Sequence, residues 1–129
     1  MPLRLPSRPL KYRNTPVMVD GERFDSKAEA RRFVELKLLE KAGQVRSIRR
    51  QVVYPLIVGA TSVSKYVADF VYEEAFDIVP RHSCEPYDWR EVIEDVKSEP
   101  TRKTRLYRLK AKWMTALGRP IREVTRSCR

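Results

Sequence analysis

The sequence predicts an α/β fold, a central mixed β-sheet flanked by helices. Three observations predict it. A fully punctuated helix occupies about residues 27–42: Ser26 is a good N-cap, Glu29 completes an S-x-x-E capping box, and Gly43 closes the last turn. Segments dense in Val, Ile, Tyr and Phe follow at 44–58, 65–72 and 91–97, as strands require. A second helix then runs from about Thr101 to Leu117 and stops at Gly118-Arg119-Pro120, before a short strand at Ile121–Val124.

Taken in order, residues 1–16 read as a flexible, proline-rich basic arm, and 17–129 as a single folded domain. Residues 17–25 predict a hairpin around Asp20-Gly21, a strong turn pair. On the first helix, Phe33 and Leu36 flank Glu29 around the axis, so Glu29 faces the sheet if they pack on it. Ala30, Val34 and Leu38 form a second apolar stripe that suggests a partner subunit. Residues 44–58 read as one or two strands, and Gly59–Ser64 as a turn. The stretch 73–90, with Pro80 and Pro86, reads as a long irregular connection. On the last helix Leu106, Leu109, Trp113 and Leu117 recur at helical spacing and are expected in the core.

Composition excludes several classes. At 129 residues the chain has room for one modest core, and 42% apolar content is ordinary for a folded protein. No apolar run approaches the ~20 residues that span a bilayer, so no membrane association is expected. Prolines at 2, 6, 9 and 16 interrupt any signal-peptide core. Cys84 and Cys128 have no metal-ligand spacing, which favours a reducing, cytoplasmic setting.

Charge is more informative. The net charge is +10, which points to a polyanionic partner, nucleic acid first. Yet residues 52–96 carry −6, with nine of the seventeen carboxylates. Carboxylates repel phosphate unless they hold a cation against it.

Two aspartates stand out. Asp69 lies among Val67, Ala68, Phe70 and Val71, where an unpaired carboxylate is costly. Asp95 repeats the pattern in Val92-Ile93-Glu94-Asp95-Val96-Lys97. Strand alternation places Asp95 and Lys97 on one face and Glu94 on the other. If the two strands are neighbours, Asp69 and Asp95 converge on one cation beside Lys97. Carboxylate oxygens suit Mg²⁺, which lowers the pKa of bound water and neutralises phosphate charge. A lysine there orients the water or stabilises the developing charge, and a cation beside it would depress its pKa. On the last helix Arg102, Lys103, Arg105, Arg108, Lys110 and Lys112, with no acid among them, are candidates for gripping phosphates, and Thr101 at its start offers free N–H groups.

These residues resemble the PD-(D/E)XK nuclease superfamily, and within it small phage endonucleases. The resemblance spans about Phe24 to Val124. It is carried by S-K-A-E-A-R-R at Ser26–Arg32, by Gln51, by Ala68-Asp69-Phe70, by Glu94-Asp95-Val96-Lys97 and by the basic helix ending near Gly118. It implies a restriction-endonuclease-like core, with catalytic roles for Glu29, Asp69, Asp95 and Lys97. It also implies that Asp69, Asp95, the Val96 backbone carbonyl and in some members Glu29 ligate Mg²⁺ or Mn²⁺, with Gln51 supporting them. Small phage members of this kind cut branched DNA, Holliday junctions in particular, as homodimers. Ala68 stands where the superfamily motif has proline. Two alternatives stay open from the residues: a nuclease acting on linear duplex in restriction, repair or transposition, and a non-catalytic nucleic-acid-binding module.

Overall fold

A computed structural model describes residues 16–76, 88–97 and 104–125. The N-terminal arm apart from Pro16, and with it Tyr12, lies outside the described residues, as do His82, Cys84, Thr101, Arg102, Lys103 and Cys128. Strands β1 (Val17–Val19) and β2 (Glu22–Phe24) form the expected antiparallel hairpin. Asp20 and Gly21 both take positive φ, 51° and 78°, as a two-residue turn between twisted strands requires. Helix α1 (Lys27–Lys41) starts at Ser26, whose hydroxyl accepts from the Glu29 N–H at 3.2 Å.

Strands β3 (Val45–Val58), β4 (Thr61–Phe76) and β5 (Asp88–Lys97) pair antiparallel in sequence order. Helix α2 (Arg105–Ala116), capped by Thr104, then returns the chain so that β6 (Ile121–Thr125) joins β5 in parallel. The result is a mixed four-stranded sheet of order β3-β4-β5-β6 with a helix on each face, the expected coarse α/β architecture.

The expected connection 73–90 is shorter than its sequence suggests. β4 continues to Phe76 and β5 begins at Asp88. Charged pairs replace apolar alternation there: Arg46 with Glu73, and Arg90 and Arg122 both with Glu74. Cross-strand ion pairs extend a ladder without leaving a hydrophobic trace in the sequence.

Two cores lie back to back across the sheet. Phe24, Ala30, Phe33 and Leu36 pack with Phe70, Tyr72 and Val92 on the α1 side. Tyr107 and Met114 of α2 pack with Tyr54, Leu56, Tyr66, Ala68, Val71 and Ile93 on the other. Ala30 thus belongs to the core and not to an outer stripe, while Val34 and Leu38 are exposed. On α2 the expected core stripe is turned outward: Leu106, Leu109 and Leu117 are exposed, and only Trp113 is partly buried. Tyr107 and Met114, seven residues apart, make the buried stripe instead. The Tyr107 hydroxyl donates to Glu123 Oε1 at 3.0 Å and fixes that rotation of the helix.

One irregularity shapes the site. Ile48 and Arg50 of β3 face α1, whereas Val52, Tyr54 and Leu56 face α2. The strand rolls over at Gln51, which takes φ 51°, a left-handed conformation that costs a residue with Cβ about 1–2 kcal/mol. β4 rolls at the same level: Tyr66 and Ala68 face α2, and Phe70 and Tyr72 face α1, with Asp69 between.

Candidate active site

Pairing of β4 with β5 ends at Phe70 opposite Glu94. The next residue toward the start of β4 is Asp69, and its Oδ2 accepts the Val96 N–H at 2.9 Å. A side-chain oxygen thus takes the donor that a continuing ladder would have used, and the strands part. The split leaves Asp69 beside Asp95, with Lys97 two residues beyond Asp95 on the same face.

Asp95 is fully buried. Its Oδ2 accepts the Tyr66 hydroxyl at 2.7 Å, and its Oδ1 is ion-paired with Lys97 Nζ at 2.8 Å. Burial and the facing Asp95 push the Tyr66 phenol far above its ordinary range, so it stays a donor. Burial also raises Asp69, to about 8; contact with Asp95 and the charge of Glu29 add to the rise, and the Val96 N–H opposes it. Asp69 therefore holds its proton at neutral pH when no cation balances the site.

Burial disfavours the Lys97 ammonium, but Asp95, Asp69 and Glu29 together outweigh it and hold its pKa above the usual lysine value. Glu29 extends the cluster from the start of α1: burial and Asp25 raise its pKa, while Lys97, Ser26 and Arg50 counteract them. Gln51 reaches in from β3, Nε2 lying 3.5 Å from Asp69 Oδ1.

The structure thus brings Glu29, Gln51, Asp69, Asp95 and Lys97 into one neighbourhood. Among the described residues no three His, Cys, Asp or Glu side chains form a ready metal-binding group. The donor set that fits a hard cation is two carboxylates, with the intervening Val96 carbonyl and water to complete it. The buried Asp95 Oδ1, ion-paired with the flexible Lys97 side chain, is the oxygen that such an ion would take over.

A pocket of about 360 Å³ opens beside the pair, lined by Lys65, Tyr66, Val67, Asp95, Lys97, Thr104, Leu106, Tyr107 and Lys110. Lys110 therefore reaches the site, joined by Lys65, which the sequence does not single out. Arg105, Arg108 and Lys112 project from the outer flank of α2, roughly 140–160° round the helix from Lys110. They are exposed and have no ion-pair partner among the described residues.

Glu94 faces the other way, as alternation predicts. Arg32 Nε and Nη2 donate to its two oxygens at 2.7 and 3.0 Å, and the Tyr72 hydroxyl donates as well. Hydrogen bonding to Glu94 raises Arg32 far above its ordinary range, against the opposing effect of burial. Neither Arg32 nor either tyrosine carries a sequence signal for these roles, since an arginine on a helix and tyrosines in strands are ordinary. The Trp89 ring lies under the Arg46 guanidinium, whose carbon is 4.2 Å from the ring centroid.

The chain belongs to the family described as "Protein of unknown function (DUF1064)", whose model matches residues 9–126. No curated protein and no solved structure matches it. No helix among the described residues is long and apolar enough to cross a membrane.

Proposed function

We propose that this chain is a Mg²⁺-dependent DNA endonuclease with a restriction-endonuclease-like core, acting on branched DNA as a Holliday junction resolvase. The single observation that carries the reading is the meeting of Asp69 and Asp95 from adjacent strands, with Lys97 ion-paired to Asp95 Oδ1.

In this reading Asp69, Asp95 and the Val96 carbonyl would hold Mg²⁺, or Mn²⁺ in its place, and the ion would supply an activated water and neutralise charge on the scissile phosphate. Asp69 would bind it as the carboxylate, releasing its proton. Lys97, released from Asp95 Oδ1, would orient the incoming water and stabilise negative charge on the phosphate with its ammonium. The negative charge of Glu29 adds to that of the aspartates in keeping Lys97 an ammonium. Tyr66 keeps Asp95 Oδ2 occupied, so Oδ1 alone faces the cleft. Lys65 and Lys110 grip the strand next to the cut, and Arg105, Arg108 and Lys112 bind phosphates further along.

The test offers purified protein a four-way junction and an equal-length linear duplex with Mg²⁺. Wild type is expected to cut the junction. Asp69→Asn and Lys97→Ala are expected to lose cutting by about 10²–10³-fold or more while still binding DNA. Cation uptake near neutral pH is expected to release a proton in wild type and none in Asp69→Asn. Equal cutting of both substrates replaces the resolvase reading with one on linear duplex. Binding with no metal-dependent cutting reduces the protein to a nucleic-acid-binding module.

A further inference from the structure

The pocket beside Asp95 is a product of the same strand separation. β5 leaves β4 at Phe70, so residues 65–67 of β4 have β3 on one side and, among the described residues, no strand on the other. The start of α2 stands across the gap and brings Thr104, Leu106 and Tyr107 to the pocket. At about 360 Å³ the cavity is at the small end of ligand sites, which run from about 300 to 1,000 Å³.

Its lining has two characters. Lys65, Lys97 and Lys110 each bring an ammonium group. Asp95, the one carboxylate among the described residues that line it, is already held by Tyr66 and Lys97. The apolar part is Val67, Leu106 and the buried Tyr66 and Tyr107, and Leu106 stays 63% exposed. Positive charge accounts for a phosphate. It does not account for the apolar part, because a phosphate gains nothing from leucine, and the bases of an intact duplex stay stacked out of reach. An anion joined to a flat apolar ring satisfies both.

We propose that this pocket takes one unpaired nucleotide of the DNA strand, its base against Val67 and Leu106 and its phosphate among the three lysines. Gripping a paired arm by its backbone requires no base to leave the stack. This pocket rewards a base that does, and so favours DNA whose pairing is already broken, where extrusion costs least. The contact is tolerant of sequence, since every base has an apolar face. Lys97 Nζ lies 5.6 Å from the Tyr107 ring centroid, so the lysine that faces Asp95 also borders the base seat. That the unpaired nucleotide sits next to the cut rests on the nuclease reading; the preference for it does not.

Binding without divalent cation tests the pocket apart from any cutting. Fluorescence anisotropy compares a short duplex carrying one unpaired thymidine at its centre with the fully paired duplex. Wild type is expected to hold the first about tenfold more tightly. Val67→Thr/Leu106→Asn keeps charge and size, and is expected to bring the ratio near one while leaving affinity for the paired duplex unchanged. Leu106→Phe, still apolar, is expected to retain the preference, with circular dichroism showing both variants folded. A second reading replaces the unpaired thymidine with 2-aminopurine, whose emission is expected to change on binding wild type and not the double variant. Equal affinity of wild type for the two duplexes overturns the proposal, as does failure to bind either. So does a preference that survives Val67→Thr/Leu106→Asn. A tenfold preference, lost in that variant, in a protein that cuts no DNA with Mg²⁺ supports the pocket and retires the nuclease reading alone.

Discussion

Glu94 and Asp95 are neighbours in one strand, both fully buried, and their surroundings could hardly differ more. On the α1 side, Glu94 has a bidentate guanidinium and a tyrosine, so both its oxygens are satisfied. On the α2 side, Asp95 has a tyrosine on one oxygen and only the Lys97 ammonium near the other. Arginine is a rigid fork that stays where it is paired, whereas lysine is a point charge on a flexible stem. The lesson is that burial does not distinguish a structural carboxylate from one available for chemistry. The kind of partner does: a rigid bidentate arginine with a tyrosine on Glu94, a flexible lysine on Asp95 Oδ1.

Removing Arg32 is the harshest way to break this contrast. Arg32→Ala strands Glu94 as an uncompensated buried charge and is expected to cost about 3–5 kcal/mol of stability, read from urea unfolding. Sharper is the pair of tyrosines. Tyr66→Phe leaves Asp95 Oδ2 buried without a donor and is expected to cost about 1–3 kcal/mol. Tyr72→Phe leaves Arg32 still on Glu94 and is expected to cost no more than about 1 kcal/mol. Equal losses at the two tyrosines would erase the distinction between the two faces. The smallest effect is at Gln51, where glycine relieves the left-handed backbone: Gln51→Gly is expected to stabilise the fold by about 1 kcal/mol in thermal melts.

Much of the candidate site was legible in sequence because strand alternation is strict. It placed Asp95 and Lys97 together and turned Glu94 away, and an aspartate amid Val and Phe was conspicuous. The capping box gave the start of α1 and so the level at which Glu29 enters. What escaped depends on long-range partners. Arg32 meets Glu94 across 62 residues and Tyr66 meets Asp95 across 29, and local pattern encodes neither contact. α2 misled for a different reason. Both Tyr107/Met114 and Leu106/Leu109/Trp113/Leu117 fit a helical period, and the Tyr107–Glu123 hydrogen bond, made only in the folded chain, decides between them. The ends of β4 and β5 were missed because ion pairs to Glu73 and Glu74 hold them there.

The carboxylate of Asp69 acts as a stop on a zipper. By occupying the Val96 amide it halts β4 and β5 one step short of closing together, and the opening it leaves is the cleft itself. A chain that zipped further would gain a ladder rung and lose the cavity, so correct strand alignment and assembly of the cleft are a single event during folding.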